Sequence, residues 1–100
     1  MLYAVRCTDK PGATELRERL RADHLQYLEG YADRLVLGGA MLSDDGEMPL
    51  GSLLIVNVAD RAEAEAFSAG DPFTRGGVFE SVTVTRLRKA LFNPAAAEGA

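Results

Sequence analysis

One stretch, SLLIVNVA over residues 52–59, restricts the possible folds more than any other. It is almost entirely apolar and rich in β-branched side chains, and its apolar residues do not alternate with polar ones. A strand with one wet face shows alternation, whereas a continuous apolar run of this length reads as a strand covered on both faces. Any fold assigned to the chain must therefore supply two covers for this strand.

The flanking segments supply one of them. MLYAVRCT, residues 1–8, reads as a strand in which Tyr3, Val5 and Cys7 alternate with Leu2, Ala4 and Arg6. DKPG then breaks the pattern, with Asp9 as a cap and Pro11 near the first helical position. Helical periodicity follows from about residue 13 to 31. With Leu16 at zero and about 100° per residue, Tyr27, Leu20, Tyr31, His24 and Leu28 fall in one arc of about 120°. Arg17 and Arg21 are assigned outside it. The chain's single histidine thus sits in an apolar stripe, where a solvated residue is not expected. Residues 35–42 read as a short strand, followed by a loop rich in Asp, Gly and Pro. After the apolar strand comes a short helix, DRAEAEAFSAG. Asp60 caps it, Glu63 completes a capping-box-like pair, and Gly70 stops it. The last strand covers residues 81–87, and residues 93–100 form a frayed tail.

The order is β-α-β-β-α-β, the split βαβ of the ferredoxin-like fold: an α+β domain with a four-stranded antiparallel sheet and both helices on one face. Two helices on one face leave the other face of strand 52–59 uncovered. A second copy of the same sheet is the simplest cover, so a homodimer packed sheet against sheet is expected, with a higher oligomer left open.

Composition and spacing exclude several functions. The chain has 100 residues, so there is room for one domain. A net charge of −4 and no basic block beyond RLRKA argue against nucleic acid. No apolar run approaches the ~20 residues of a membrane span, and the N-terminus lacks the layout of a signal peptide. A soluble, cytoplasmic protein is expected. One cysteine rules out an internal disulfide and a cysteine metal cage, and one histidine without an acidic partner at ligand spacing argues against a metal. LGGAML lacks the spacing of a phosphate loop, and no G-x-S-x-G is present. Acid–base chemistry without a cofactor remains.

The segment SAGDPFTRGGVFESVTV, residues 68–84, places Asp71 between the second helix and the last strand. In the derived topology that strand pairs beside the first, which brings Asp71 toward His24 at one end of the sheet. An imidazole held by a carboxylate has one tautomer fixed, as a general acid or base near neutral pH requires. Each residue also has a plainer reading: His24 as a hydrogen-bonded core residue, Asp71 as a turn starter bonded to nearby amides.

DHLQYLEGYADR, LVLGGAM, GSLLIV and GDPFTRGGVFESVTV together resemble the YciI-like (YCII-related domain) family, over roughly residues 1–92. The most specific element is Asp-Pro-Phe followed after a short gap by Gly-Val-Phe-Glu. The resemblance implies a dimeric α+β barrel and a site built on His24 and Asp71. It also implies a small-molecule substrate: one branch of the family resembles a dehydrochlorinase of chlorinated hydroquinones, and relatives on the same barrel rearrange small cyclic molecules without a cofactor. The chain departs from the family pattern in the acidic loop MLSDDGEMPLG and at Leu87-Arg88.

Three further residues are candidates for substrate binding. Arg6 can hold an anionic or phenolic ligand or be solvated at its strand's end. Ser52 can donate a hydrogen bond or finish the loop. Phe73 can wall a pocket or fill core, while Met41 and Met48 read as packing. Two functions remain open: a cofactor-independent acid–base enzyme catalysing an elimination or isomerisation, and a non-catalytic ligand-binding or accessory dimerisation module.

Overall fold

The computed structural model describes residues 1–100. Strand β1 (Leu2–Asp9) leads into helix α1 (Thr14–Glu29), strands β2 (Leu35–Leu42) and β3 (Pro49–Asn57), and helix α2 (Arg61–Gly70). A one-turn helix α3 (Pro72–Arg75) and strand β4 (Phe79–Leu87) complete the domain, and Pro94–Ala97 adds a single exposed 3-10 turn. The four strands form one antiparallel sheet in the order β2-β3-β1-β4. That order is the ferredoxin-like βαββαβ arrangement expected from the sequence. No helix is long and apolar enough to cross a membrane.

The pleat sorts side chains between two faces. Tyr3, Val5 and Cys7 of β1 and Ser52, Leu54 and Val56 of β3 are all buried, and Val58 just beyond β3 joins them. With Ala64 and Phe67 of α2 they build the main core, and Ala13, Phe73 and Val78 make a second cluster beside α1. The opposite face is only partly covered: Leu53 and Ile55 are half-buried, and Leu37 and Leu87, which pair with Ile55 and Leu2, are 60% and 40% exposed. The apolar run of β3 thus meets helices on one side and lacks its second cover within a single chain.

Phe67 is, with Phe73, the largest of the fully buried side chains, and its ring centroid lies 4.7 Å from that of Tyr31 and 6.0 Å from that of Tyr27. Phe67→Ala is expected to destabilise the domain by about 3–5 kcal/mol. At roughly 4–8 °C per kcal/mol for a domain of this size, thermal denaturation reads that as a fall in Tm of more than about 10 °C. An unchanged Tm would mean that α2 is not anchored through this ring.

Among the differences from the sequence reading, four have a clear local reason. β3 starts at Pro49, because residues 49–51 still pair with Met41 and Leu42 of β2, and a proline is tolerated at the first residue of a strand. β4 starts at Phe79, which pairs with Asp9 beyond a bulge. α1 has no side-chain cap: Ala13 takes that place, while Asp9 remains in β1 and sends its carboxylate elsewhere. The fourth is α3, read from the sequence as a plain turn. Asp60 caps α2 as expected, accepting from Glu63 N–H, while Glu63 returns a bond to Ala59 N–H.

Gly51 has a packing reason to be glycine. A Cβ there would overlap the carbonyl oxygen of Cys7 on β1, so the two backbones meet more closely than any side chain allows. The Gly51 carbonyl in turn accepts from Arg17, which ties this close approach to the polar cluster of the candidate site.

Candidate active site

Asp71 is where two helices meet. It ends α2, with its N–H donated to Ser68 O, and caps α3, where Pro72 sits in the first turn. Its Oδ1 accepts the Phe73 N–H at 2.9 Å, an N-cap bond that holds the carboxylate in one orientation. The same oxygen lies 2.7 Å from Nδ1 of His24, 47 residues earlier. A carboxylate oxygen only accepts, so Nδ1 carries a proton and donates it. His24 is the one buried residue of α1, and Asp71 is 2% exposed.

The other ring nitrogen is free. Nε2 has no protein partner and is not among the buried polar atoms sealed from solvent without one, so it keeps access to solvent. Phe73 stacks on the imidazole with ring centroids 3.8 Å apart and planes within 7°. His24 therefore has a fixed tautomer, a fixed plane and one open valence.

A second polar group adjoins the first. The Arg17 guanidinium lies 4.7 Å from the centroid of the same Phe73 ring. Its Nε donates to Asp9 Oδ2 at 2.9 Å, and its Nη2 donates to Gly51 O at 2.9 Å and Ser52 Oγ at 2.5 Å. Asp9 and Arg17 are largely buried, with side-chain exposures of 6% and 12%. The structure thus brings together His24, Asp71, Ser52 and Phe73 of the sequence candidates and adds Asp9 and Arg17. Arg6 is not with them: it is exposed on the face of the sheet away from α1, opposite Leu53 and Thr83.

Arg17 had a signal in the sequence. The helical wheel that places His24 at about 80° and Leu28 at about 120° puts Arg17 at about 100°, between them. A charged residue at that angle reads as part of the solvated face, yet Arg17 is half-buried within the stripe. Asp9 carried no comparable signal, since an aspartate ahead of a helix ordinarily reads as its cap.

Two nearby groups are removed from proton chemistry by their surroundings. Burial pushes the Cys7 thiol up to about 12, the negative charges of Asp71 and Asp9 add to the shift, and Arg17 opposes it. Burial likewise raises the Tyr27 phenol, whose hydroxyl donates to Phe67 O at 2.9 Å. The folded-state value of Cys7 lies above its unfolded value of 9.0, so its contribution to stability is complete below about pH 9 and is lost as pH rises toward 12. At pH 8, thiol labelling of the native protein is expected to be far slower than labelling in denaturant. Equal rates would show that Cys7 is accessible.

A buried carboxylate–imidazole pair at one end of a ferredoxin-like sheet defines the class: a small α+β domain carrying a candidate acid–base centre. More particularly, the chain matches the YCII-related domain over residues 1–88 and belongs to that family. It is 32% identical to protein YciI of Escherichia coli over 96 residues, spanning 89% of this chain and 98% of that one. It is 29% identical to an uncharacterized protein of Haemophilus influenzae with the same coverage. Among solved structures it resembles 5-chloro-2-hydroxyhydroquinone dehydrochlorinase (TftG) from Burkholderia phenoliruptrix, determined in complex with 2,5-dihydroxybenzoquinone. The TM-score is 0.81 and the identity 33%, covering 88% of this chain and 94% of that one. A protein from Agrobacterium tumefaciens shares the fold at a TM-score of 0.55 and 21% identity, covering 94% of this chain and 98% of that one. The fold is that of a dimeric α+β barrel protomer.

Proposed function

We propose that the protein is a cofactor-independent acid–base enzyme acting on a small cyclic or aromatic substrate by elimination or isomerisation, in the manner of a dehydrochlorinase. The observation that carries this reading is the 2.7 Å bond between His24 Nδ1 and Asp71 Oδ1, which leaves Nε2 as the one open position of a buried imidazole. In the proposed step Nε2 takes a proton from an enolisable ring. The electron pair released forms a new π bond, and the leaving group departs with its own bonding pair. Asp71 balances the charge that develops on the imidazole. The likeness to a dehydrochlorinase at 33% identity supports this reaction class.

The test is chloride release from 5-chloro-2-hydroxyhydroquinone by the wild type and by His24→Gln. Release by the wild type and its loss in the variant support the reading. Equal release by both removes His24 from the chemistry.

The working unit in this proposal is a homodimer. The half-covered face of β3, with Leu37 and Leu87 exposed beside it, is the surface a second sheet would cover. Light scattering at micromolar concentration is expected to give twice the chain mass, and the mass of one chain would sink the dimer.

A further inference from the structure

Most of the exposed large apolar side chains gather at the two ends of the sheet. Val36, Leu37, Leu87, Leu91 and Phe92 stand at the end where Leu2 pairs with Asn57 and Leu87. Leu42, Met48 and Leu50 stand at the opposite end, beside or within the hairpin that joins β2 to β3. Single exposed apolar residues are ordinary, but groupings of this kind mark an interaction surface.

The first group lines a cleft of about 320 Å³. Leu2, Leu37, Ile55 and Leu87 in its wall belong to the sheet face turned away from α1 and α2, and residues 88–92 bound its other side. The segment after β4 thus runs beside the open face toward β2. Leu91 and Phe92 are 96% and 62% exposed, so the segment is not buried against its own domain. Charge separates the two ends as well. Arg88 and Lys89 border the cleft, whereas Asp44, Asp45 and Glu47 are exposed on the hairpin. None of these five is in an ion pair within the chain.

One end of the sheet is therefore apolar and basic, the other apolar and acidic, so the surface is complementary to itself. In a twofold dimer a residue that meets a different residue of its partner does so twice, once from each side. Two sheets packed face to face within about 30° of alignment can be related in two ways. With strands parallel across the interface, each basic segment faces the other basic segment. With strands antiparallel, each basic segment faces an acidic hairpin. A small acidic amphiphile would answer the basic cleft but leave the apolar hairpin without a role.

We propose that the second copy covering the open sheet face lies with its strands antiparallel to the first, and that the β2–β3 hairpin of each protomer seats in the other's cleft. Leu42 and Met48 then meet Leu91 and Phe92, and Arg88 and Lys89 pair with the hairpin carboxylates at the rim. The inference rests on the homodimer of the proposed function and adds its orientation and the occupant of the cleft.

Dimer dissociation is measured by sedimentation equilibrium for three full-length chains. They are the wild type, Arg88→Glu/Lys89→Glu, and that pair combined with Asp44→Lys/Glu47→Lys. Asp45 is left in place because it holds the hairpin through Ser43 Oγ and Glu47 N–H. All four changes fall on exposed residues, and circular dichroism checks that the fold is kept. The tail reversal is expected to weaken the dimer at least about tenfold, because each altered charge is felt at both symmetric contacts. The combined chain should recover tight association, since opposite signs meet again. If tail faced tail, the reversal would only exchange one like-charge contact for another. Wild-type affinity in the tail variant would therefore overturn the proposal, and so would a combined chain that stays weak. Salt should loosen the wild-type dimer, a readout that needs no variant, and indifference to salt would also overturn it. A wild type that is monomeric at every concentration removes the homodimer itself. A dimer untouched by these charges keeps the homodimer and removes only this orientation.

Discussion

His24→Gln is expected to lower turnover by about 10²- to 10⁴-fold, the usual contribution of a positioned proton-transfer group. Glutamine is the informative replacement. Its amide can still donate to Asp71 Oδ1 and still lie against Phe73, so the packing around a residue only 7% exposed is largely kept. What it lacks is a nitrogen that exchanges a proton near neutral pH. His24→Ala would instead leave a hole beside the fully buried Phe73 and confuse lost chemistry with lost structure. Near-UV circular dichroism alongside chloride release separates the two, and a folded variant with wild-type release would end the acid–base reading.

Asp71→Asn tests the role of charge and is expected to lower turnover by about 10²-fold, at the low end of the same range. In many such pairs an amide substitution forces the wrong histidine tautomer, because the amide NH2 turns toward the ring. The geometry here works against that. A single oxygen of Asp71 accepts from both His24 Nδ1 and Phe73 N, so an asparagine that places its carbonyl oxygen there keeps both bonds. The tautomer should survive and only the charge be lost. Because the chain has one histidine, the two imidazole nitrogens can be assigned in a ¹⁵N spectrum without ambiguity. A spectrum showing the proton moved to Nε2 would contradict this account. Turnover equal to wild type would show that charge at position 71 plays no part.

Much of this arrangement can be read from residue types and periods. The element order follows from the switch between periods of 2 and 3.6, and the meeting of His24 with Asp71 follows from pairing β4 beside β1. α3 was not legible because four residues are too short to show a period; only Asp71 before Pro72 marks it, and that pair serves equally well as a turn. The start of β3 was hidden for a similar reason, since Pro49 and Gly51 look like loop residues until their pairing with β2 is seen. The arginines show the limit differently. Arg6 had a residue type suited to a ligand, but alternation in β1 places it opposite Tyr3 and Val5, on the face away from α1. Arg17 had the right angle on α1, and its charge concealed it among surface residues.

The joint at Asp71 has a further consequence. Its backbone is tied on both sides, by Asp71 N–H to Ser68 O and by Arg75 N–H to Asp71 O, and proline follows it directly. The carboxylate is therefore in place before anything binds, and orienting it requires no ordering when a molecule arrives. The residues around Asp9 are held less uniformly: 10–13 and 48 lie in connecting segments, while Asp9, Thr14, Pro49 and Leu50 belong to β1, α1 and β3. The proton-handling pair is thus fixed by the backbone of the joint itself rather than by the segments that border it.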